Sequence, residues 1–466
     1  MFNPEFRRYV WLELSRHRLI AVPLLVGVIV LVVLASSETA SEILAYGALG
    51  FYSLVTICYG AMRALGSVSE ELQDRTWDFQ RMSALSPWTL AMGKLLGAPI
   101  FAWYMGAWLF LVFVVSALAM PEGFKDLGAV IVCALAGTLL LHALAFAAGA
   151  AQSRLGMGSR ARRASVWISF IALANILPVL FASFFSRHSE SGAEGEAVVR
   201  FFSVLQISVV GLIALSTVVF CVWALLAAWR MMARELRESP WWWVWPAFAL
   251  FTGVWLWGIQ AEGSPRLPLQ FIFIAATFIM VFAAYTGLLL DPLTTVAKTR
   301  FARLRQSAQP VSWDKKLPQW LIHVAVAAGF AVLCVVLEGA IFASTSYKAY
   351  NLNSENYPTA LTVALPLVLM FVRDAAIVTC FTLSSRVKRP LAMAIFYIAL
   401  LDFLVPFLFV PLNLTRIAHF LSPLFSVTAG LWQPAVFMAI HAAIALGVLA
   451  MMHGKQHQTV SNQQSI

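Results

Sequence analysis

From Leu19 onward the chain repeats runs of about twenty apolar residues, the length a helix needs to cross the hydrocarbon core of a bilayer. Twelve such runs can be marked. The first six are Leu19–Ala35, Ile43–Leu65, Leu96–Met120, Leu127–Ala151, Ala164–Phe185 and Phe202–Trp229. The second six are Trp243–Ile259, Leu267–Leu290, Leu317–Ala343, Tyr357–Leu383, Leu391–Leu412 and Leu431–Met452. As helices, these runs close their own backbone hydrogen bonds, the condition for a segment to sit in lipid. Only 12% of the residues are charged and mean hydropathy is +0.81, whereas an ordinary soluble domain carries about 25% charged residues. The expected fold is all-α: a polytopic membrane helical bundle of about twelve transmembrane helices.

Lys and Arg orient the bundle. With the N-terminus inside, the inner segments collect Arg7, Arg8, Arg16 and Arg18, then Arg75, Arg81 and Lys94, then Arg154, Arg160, Arg162 and Arg163. Arg230, Arg234 and Arg237 follow, then the basic stretch from Lys298 to Lys316, then Arg386, Lys388 and Arg389. The outer loops are acidic, with Glu38, Glu42, Glu122, Asp126, Glu190, Glu194, Glu196 and Glu262. On the positive-inside rule both termini are expected in the cytoplasm. The net charge of +10 is then a topology signal, and no nucleic-acid partner is expected. The first apolar run is too long for a signal-peptide core and lacks a small-x-small cleavage site, so a retained first span is expected. The five cysteines are scattered through apolar runs without CxxC spacing and read as small buried hydrophobes.

The loop pattern repeats. In each set of six runs the long inner loop joins the second and third, Arg63 to Lys94 and Asp291 to Lys316, and a short basic loop joins the fourth and fifth. An even number of spans per half would give parallel repeats, so two six-helix halves are expected, residues 1–236 and 237–466, the second with a polar, frayed tail from His453. At the N-terminus, Asn3-Pro4 places a capping residue before a proline at the first helical position, ahead of a basic amphipathic turn through Arg7-Arg8-Tyr9-Val10-Trp11. Such a helix is expected to lie in the inner membrane interface.

The first long inner loop interrupts the apolar chain with a charged island, Ser67 to Arg81. Ser67 and Glu70 have capping-box spacing, which predicts a helix start at Ser67. Val68, Leu72, Thr76, Phe79 and Met82 then share one helical face, and Glu71, Asp74, Arg75, Asp78 and Arg81 share the other. Glu71/Arg75 and Asp78/Arg81 are spaced for pairing along the helix. Ser86-Pro87 predicts a second helix start. The expectation is an amphipathic helix over 67–85 lying across the ends of the spans, its charged face outward.

Glu71-xxx-Arg75-Thr76-x-Asp78-xx-Arg81-xxx-Leu85-Ser86-Pro87, ending in Gly93-Lys94, resembles the coupling-helix segment of type-2 ABC exporter permeases, which in that family also lies between the second and third spans. The N-terminal Asn3-Pro4 helix is similar to the family's connecting helix, and Leu421-Ser422-Pro423 resembles its external re-entrant element before the last helix. The resemblance covers about 120 residues of the first half well and the rest in topology alone. It implies a permease subunit, without an ATPase site of its own, in a bacterial inner membrane. The implied partners are membrane lipid, a dimeric cytosolic ABC ATPase that binds ATP and magnesium, and a second permease copy unless the two halves form a full permease. Glu71, Asp74, Arg75, Asp78 and Arg81 would be charged docking contacts, and Trp77 and Phe79 the apolar fit. In the second half, the stretch from Thr295 to Lys316 has no carboxylate between Asp291 and Asp314 and no Arg-Thr-x-Asp, which implies an asymmetric transporter.

Gly93-Lys94 fails as a phosphate loop, since Trp88 stands where Gly is required and Leu95 where Ser or Thr is. His142, His323 and His441 sit singly in apolar runs, with no HExxH and no Gly-x-Ser-x-Gly. No cofactor and no metal is expected in this chain. Ionisable residues within spans are costly, by roughly 2.5–3.5 kcal/mol each on insertion scales, and here they are Arg373 and Asp374 in the tenth run, Asp402 in the eleventh and Glu338 near the end of the ninth. An Arg373–Asp402 or Arg373–Asp374 pair locking helices together is expected, with a polar substrate contact or proton relay as the alternative. Two other functional readings stay open: a twelve-helix secondary transporter driven by an ion gradient, and, less well supported, a membrane enzyme acting on lipid. The substrate is not legible.

Overall fold

A computed structural model describes residues 3–73, 76–83, 85–154, 198–236, 238, 241–261, 268–290, 295–306, 317–343, 363–384, 387, 389–409, 420 and 433–464. The chain divides into two compact units, Met1–Pro240 and Trp241–Ile466.

The first unit opens with α1 (Pro4–Glu13) and α2 (Arg16–Ser36). Asn3 Oδ1 accepts from the backbone N–H of Glu5 and Phe6, and Pro4 takes the first helical position, so α1 starts where its sequence predicts. Helix α2 exposes Ile20, Leu25, Ile29 and Leu34 around its circumference, as a helix surrounded by lipid does. The second span is built from α3 (Ala40–Tyr52), a π-helical stretch (Ser53–Tyr59) and α4 (Gly60–Gln73). Then come α5 (Trp77–Met82), α6 (Pro87–Gly97), α7 (Ile100–Leu118) and α8 (Leu127–Arg154). A hairpin, β1 (Val198–Phe201) and β2 (Leu205–Ser208), pairs antiparallel with Val199 opposite Ile207 and leads into α9 (Val209–Glu235).

The second unit contains α10 (Val244–Gly258), α11 (Gln270–Leu290), α12 (Thr295–Gln306), α13 (Gln319–Ala343) and α14 (Leu365–Leu383). The next span joins α15 (Pro390–Ala399), a π-helical turn (Leu400–Leu404) and α16 (Val405–Phe409); α17 (Gln433–Gln464) is last.

Among the described residues ten helices are long and apolar enough to cross a membrane, so the chain is a multi-pass α-helical membrane protein. The spans differ from the expected runs in particular places. Ala164–Phe185 and Leu421-Ser422-Pro423 lie outside the described residues. Helix α10 has 15 residues, about 22 Å at 1.5 Å per residue, less than the roughly 30 Å core. The run marked from Phe202 begins as helix at Val209, because Phe202 and Ser203 take left-handed backbone conformations that turn the hairpin, and Ser208 caps α9 by accepting from Gly211 N–H. Helix α17 continues to Gln464 through the tail expected to fray; no proline follows Pro434 to stop it.

The core that positions the inner loop of the first unit is made by α4, α6, α8 and α9, where Val68, Leu90, Leu95, Phe146 and Met232 are buried among Ala64, Ala91, Ala143, Ala150 and Ala228. Small residues let membrane helices approach closely and gain van der Waals contact, since lipid provides no hydrophobic drive between them. Gly149 shows how close: a Cβ there would lie 2.2 Å from the carbonyl oxygen of Leu65.

Candidate functional site

The charged island does not form one helix. Helix α4 runs unbroken out of the second span to Gln73, so the backbone N–H of Ser67 is not a free helix-start donor and Ser67 caps nothing. Its hydroxyl donates instead to the Ala64 carbonyl, at 2.6 Å. The chain resumes as the six-residue α5, and Thr76 closes the break by donating from its backbone N–H to the Glu71 carbonyl at 3.0 Å. Two helices with a break between them cannot share one helical phase, and the predicted faces separate accordingly. Val68 is fully buried, whereas Phe79 and Met82 are 73% and 75% exposed.

Glu71 is the main correction. Expected on the outward face, it is 5% exposed and forms the centre of a buried ion network. Helix α1 supplies Glu5 and Arg8, α6 supplies Lys94 and α5 supplies Gln80. Lys94, with a fully buried side chain, donates from Nζ to Glu5 Oε1 at 3.1 Å and to Glu71 Oε2. Arg8 Nη2 donates to Glu5 Oε1 at 2.8 Å and to Glu71 Oε1. Gln80 Nε2 donates to Glu71 Oε1 at 2.7 Å and to Glu5 Oε1 at 3.4 Å. The Tyr9 hydroxyl lies 3.5 Å from Glu71 Oε1, and its ring packs under both cations, with the Arg8 guanidinium 4.9 Å and the Lys94 ammonium 5.9 Å from the ring centroid. Among the described residues two carboxylates meet two cations, which is what makes the burial of these charges tolerable.

The electrostatics follow from these contacts. Burial alone would lower the Arg8 guanidinium, but Glu5 and Glu71 outweigh it and raise Arg8 above its ordinary value. Burial, reinforced by Glu71 and Glu5, pushes the Tyr9 phenol up and keeps it a neutral donor.

Local sequence explains why α1 sits there. Asn3 caps α1 and also donates from Nδ2 to the Thr89 carbonyl at 2.6 Å, while Ser86 caps α6 by accepting from Thr89 N–H at 3.2 Å. The two helix starts are thus joined at Thr89. Gly93 and Gly97 make the seam between α1 and α6: a Cβ at Gly93 would stand 2.6 Å from Glu5 Cβ, and one at Gly97 would stand 2.8 Å from Tyr9 Cδ2. At the other end of α1, Glu13 accepts from Arg63 of α4 at 2.6 Å and from Arg18 of α2 at 3.2 Å, and Arg63 reaches Glu70 at 3.5 Å.

Of the residues singled out in the sequence, Asp78 and Phe79 are exposed on α5. Trp77 and Arg81 belong to the same helix, their side chains outside the described set, and Asp74 and Arg75 lie outside the described residues. Helical phase groups none of Glu5, Arg8, Gln80 and Lys94 with Glu71. A signal existed in Lys94, a lone cation in the apolar run Leu90-Ala91-Met92-Gly93-Lys94-Leu95-Leu96, since such a residue needs a partner. In the second unit the inner loop also carries a helix, α12, with Phe301 buried and Arg303 exposed.

The intramembrane residues of the second unit do converge. Arg373 donates from Nε to Asp374 Oδ1 at 2.7 Å and from Nη2 to both oxygens of Asp402 at 2.7 Å, so both expected pairs form at once. Tyr285 of α11 donates to Asp374 Oδ2 at 2.5 Å. Arg373, Asp374 and Asp402 are all buried. Among the described residues no three His, Cys, Asp or Glu side chains converge to hold a metal ion.

No family model matches this sequence, and no curated protein and no solved structure matches it.

Proposed function

We propose that this chain is the membrane-spanning permease of an ATP-binding-cassette exporter, driven by a separate cytosolic ATPase that docks on α5. The observation that carries this reading is the position of α5. It presents Phe79 and Met82 to the outside while Gln80, one residue along, holds the two carboxylates of the buried network. Large exposed apolar side chains beside a charged residue, Asp78, on a loop between spans suit a protein contact. A push on α5 reaches α1, α4 and α6 through charge-assisted hydrogen bonds instead of through a loose loop. ATP and magnesium belong to the partner, whose dimerisation would shift the bundle and move an amphipathic or hydrophobic substrate outward. Helix α12 is the corresponding surface of the second unit, and its basic sequence fits an unequal second contact.

The test is co-purification of the full chain from native membranes, with the captured proteins assayed for a nucleotide-binding ATPase. Phe79→Ser combined with Asp78→Ala should abolish capture of the ATPase while leaving the detergent-solubilised permease monodisperse. Equal capture by the wild type and the variant, or no ATPase with either, would overturn the proposal.

A further inference from the structure

We propose that Asp402 is a proton-binding site, loaded from the aqueous phase, and that the proton makes the buried Arg373–Asp374–Asp402 cluster electrically neutral. This goes beyond the docking reading and does not depend on it, since the cluster lies in the second unit.

Among the described residues the formal charges do not balance without a proton. One guanidinium (+1) faces two carboxylates (−2), leaving −1 in a chamber where all three side chains are buried. Uncompensated charge is disfavoured in a membrane interior, and such residues mark proton and ion pathways there. Tyr285 donates to Asp374 but brings no charge, and Phe371 and Trp320 pack beyond it as an apolar wall. Among the described residues, the other titratable groups on helices packed against α14 do not supply the missing cation. His323 of α13 is engaged by the Ala283 carbonyl at 3.2 Å, and His441 of α17, within electrostatic range of Arg373, packs edge-on to Phe420. Glu338 is also on α13, its side chain outside the described residues.

Geometry places the proton on Asp402. Asp374 has a donor for each oxygen, Arg373 Nε with Nη2 on one, both at 2.7 Å, and the Tyr285 hydroxyl on the other. The two oxygens of Asp402 share a single nitrogen, Nη2. The opposite nitrogen of this guanidinium, Nη1, is buried and has no hydrogen-bond partner among the described residues, although Arg373 is only 3% exposed. A purely structural ion pair would not leave that donor unused beside an excess carboxylate. Asp402 also stands in the π-helical turn Leu400–Leu404, the irregularity that recurs in helices at functional positions. On loading, hydronium gives its proton to an Asp402 oxygen, an O–H bond forms and water leaves. Arg373 and Asp374 then remain as a one-to-one pair, and the charge that ties the α15–α16 span to α14 is gone.

Infrared spectroscopy of the full chain in lipid nanodiscs, with aspartate carbon-13 labelled at the side-chain carboxyl, tests this. The wild type should show a single isotope-shifted carboxylic-acid C=O band near neutral pH, sensitive to deuterium exchange and lost as pH rises. Asp402→Asn should remove it. Asp402→Glu, which keeps an acid for a fold that needs one, should replace the labelled band with an unlabelled one. Absence of a labelled acid band in the wild type near neutral pH, or its survival at that pH in either variant, would overturn the proposal.

Discussion

Replacing Lys94 with Met tests how firmly the inner loop is wired to the spans. Met keeps most of the length of the side chain in its fully buried slot and removes only the charge that faces Glu5 and Glu71. Among the described residues Arg8 is then the one cation against two carboxylates, and its side chain is 39% exposed, so it is partly screened by water. Breaking a buried pair by removing one partner costs about 3–5 kcal/mol, and Lys94→Met should fall in that range. Arg8→Gln should cost less, about 1–3 kcal/mol for lost hydrogen bonds to charged groups. The discriminating variant is Lys94→Met with Glu71→Gln, in which one carboxylate again meets one guanidinium. Its destabilisation should fall short of the sum of the single variants by about 0.5–3 kcal/mol, the coupling of residues in one network. Unfolding in detergent can be followed by reaction of a thiol-sensitive dye with the five free cysteines. A Lys94→Met protein within about 0.5 kcal/mol of wild type, as for an ordinary surface change, or strict additivity in the cycle, would refute the reasoning.

Two further outcomes are expected. Gly149→Ala sets a Cβ 2.2 Å from the Leu65 carbonyl oxygen, and because backbone must move, it should destabilise by about 1–3 kcal/mol in the same dye assay, whereas Gly128→Ala, with open space around it, should not. Asn3→Ala removes the α1 cap and the bond to Thr89, which should cost about 0.5–2 kcal/mol and speed proteolysis within α1 in limited-digestion experiments.

What could be read from the sequence was whatever has a short range. Apolar run length located the spans, and Asn3-Pro4 and Ser86-Pro87 announced α1 and α6 because a cap and its proline are adjacent in the chain. The ion network was hidden because Glu71 meets Arg8 and Lys94 across separations of 63 and 23 residues, and helical phase says nothing about such partners. Phase was also misleading in its own terms. It assumes an unbroken helix, but Thr76 is not helical, so the buried Glu71 of α4 and the exposed Phe79 and Met82 of α5 follow separate phases. The intramembrane cluster lay between these cases: its members were conspicuous as charges in apolar runs, but the joining of both carboxylates by one guanidinium needed the packing of α14 against the α15–α16 span.

The π-helical stretch at Ser53–Tyr59 has a mechanical consequence for the second span. A helix interior normally uses every carbonyl within its own ladder, but here the Thr56 carbonyl is met from outside by His142 Nε2 at 2.8 Å. The Thr56 side chain presses so close to α7 that a Cβ at Gly106 would stand 2.1 Å from its hydroxyl. The span is therefore clamped at its middle by two neighbours and softest in its own hydrogen bonding at the same level. The second span is thus pinned at Thr56, and its Ala40 and Glu71 ends lie on either side of that point.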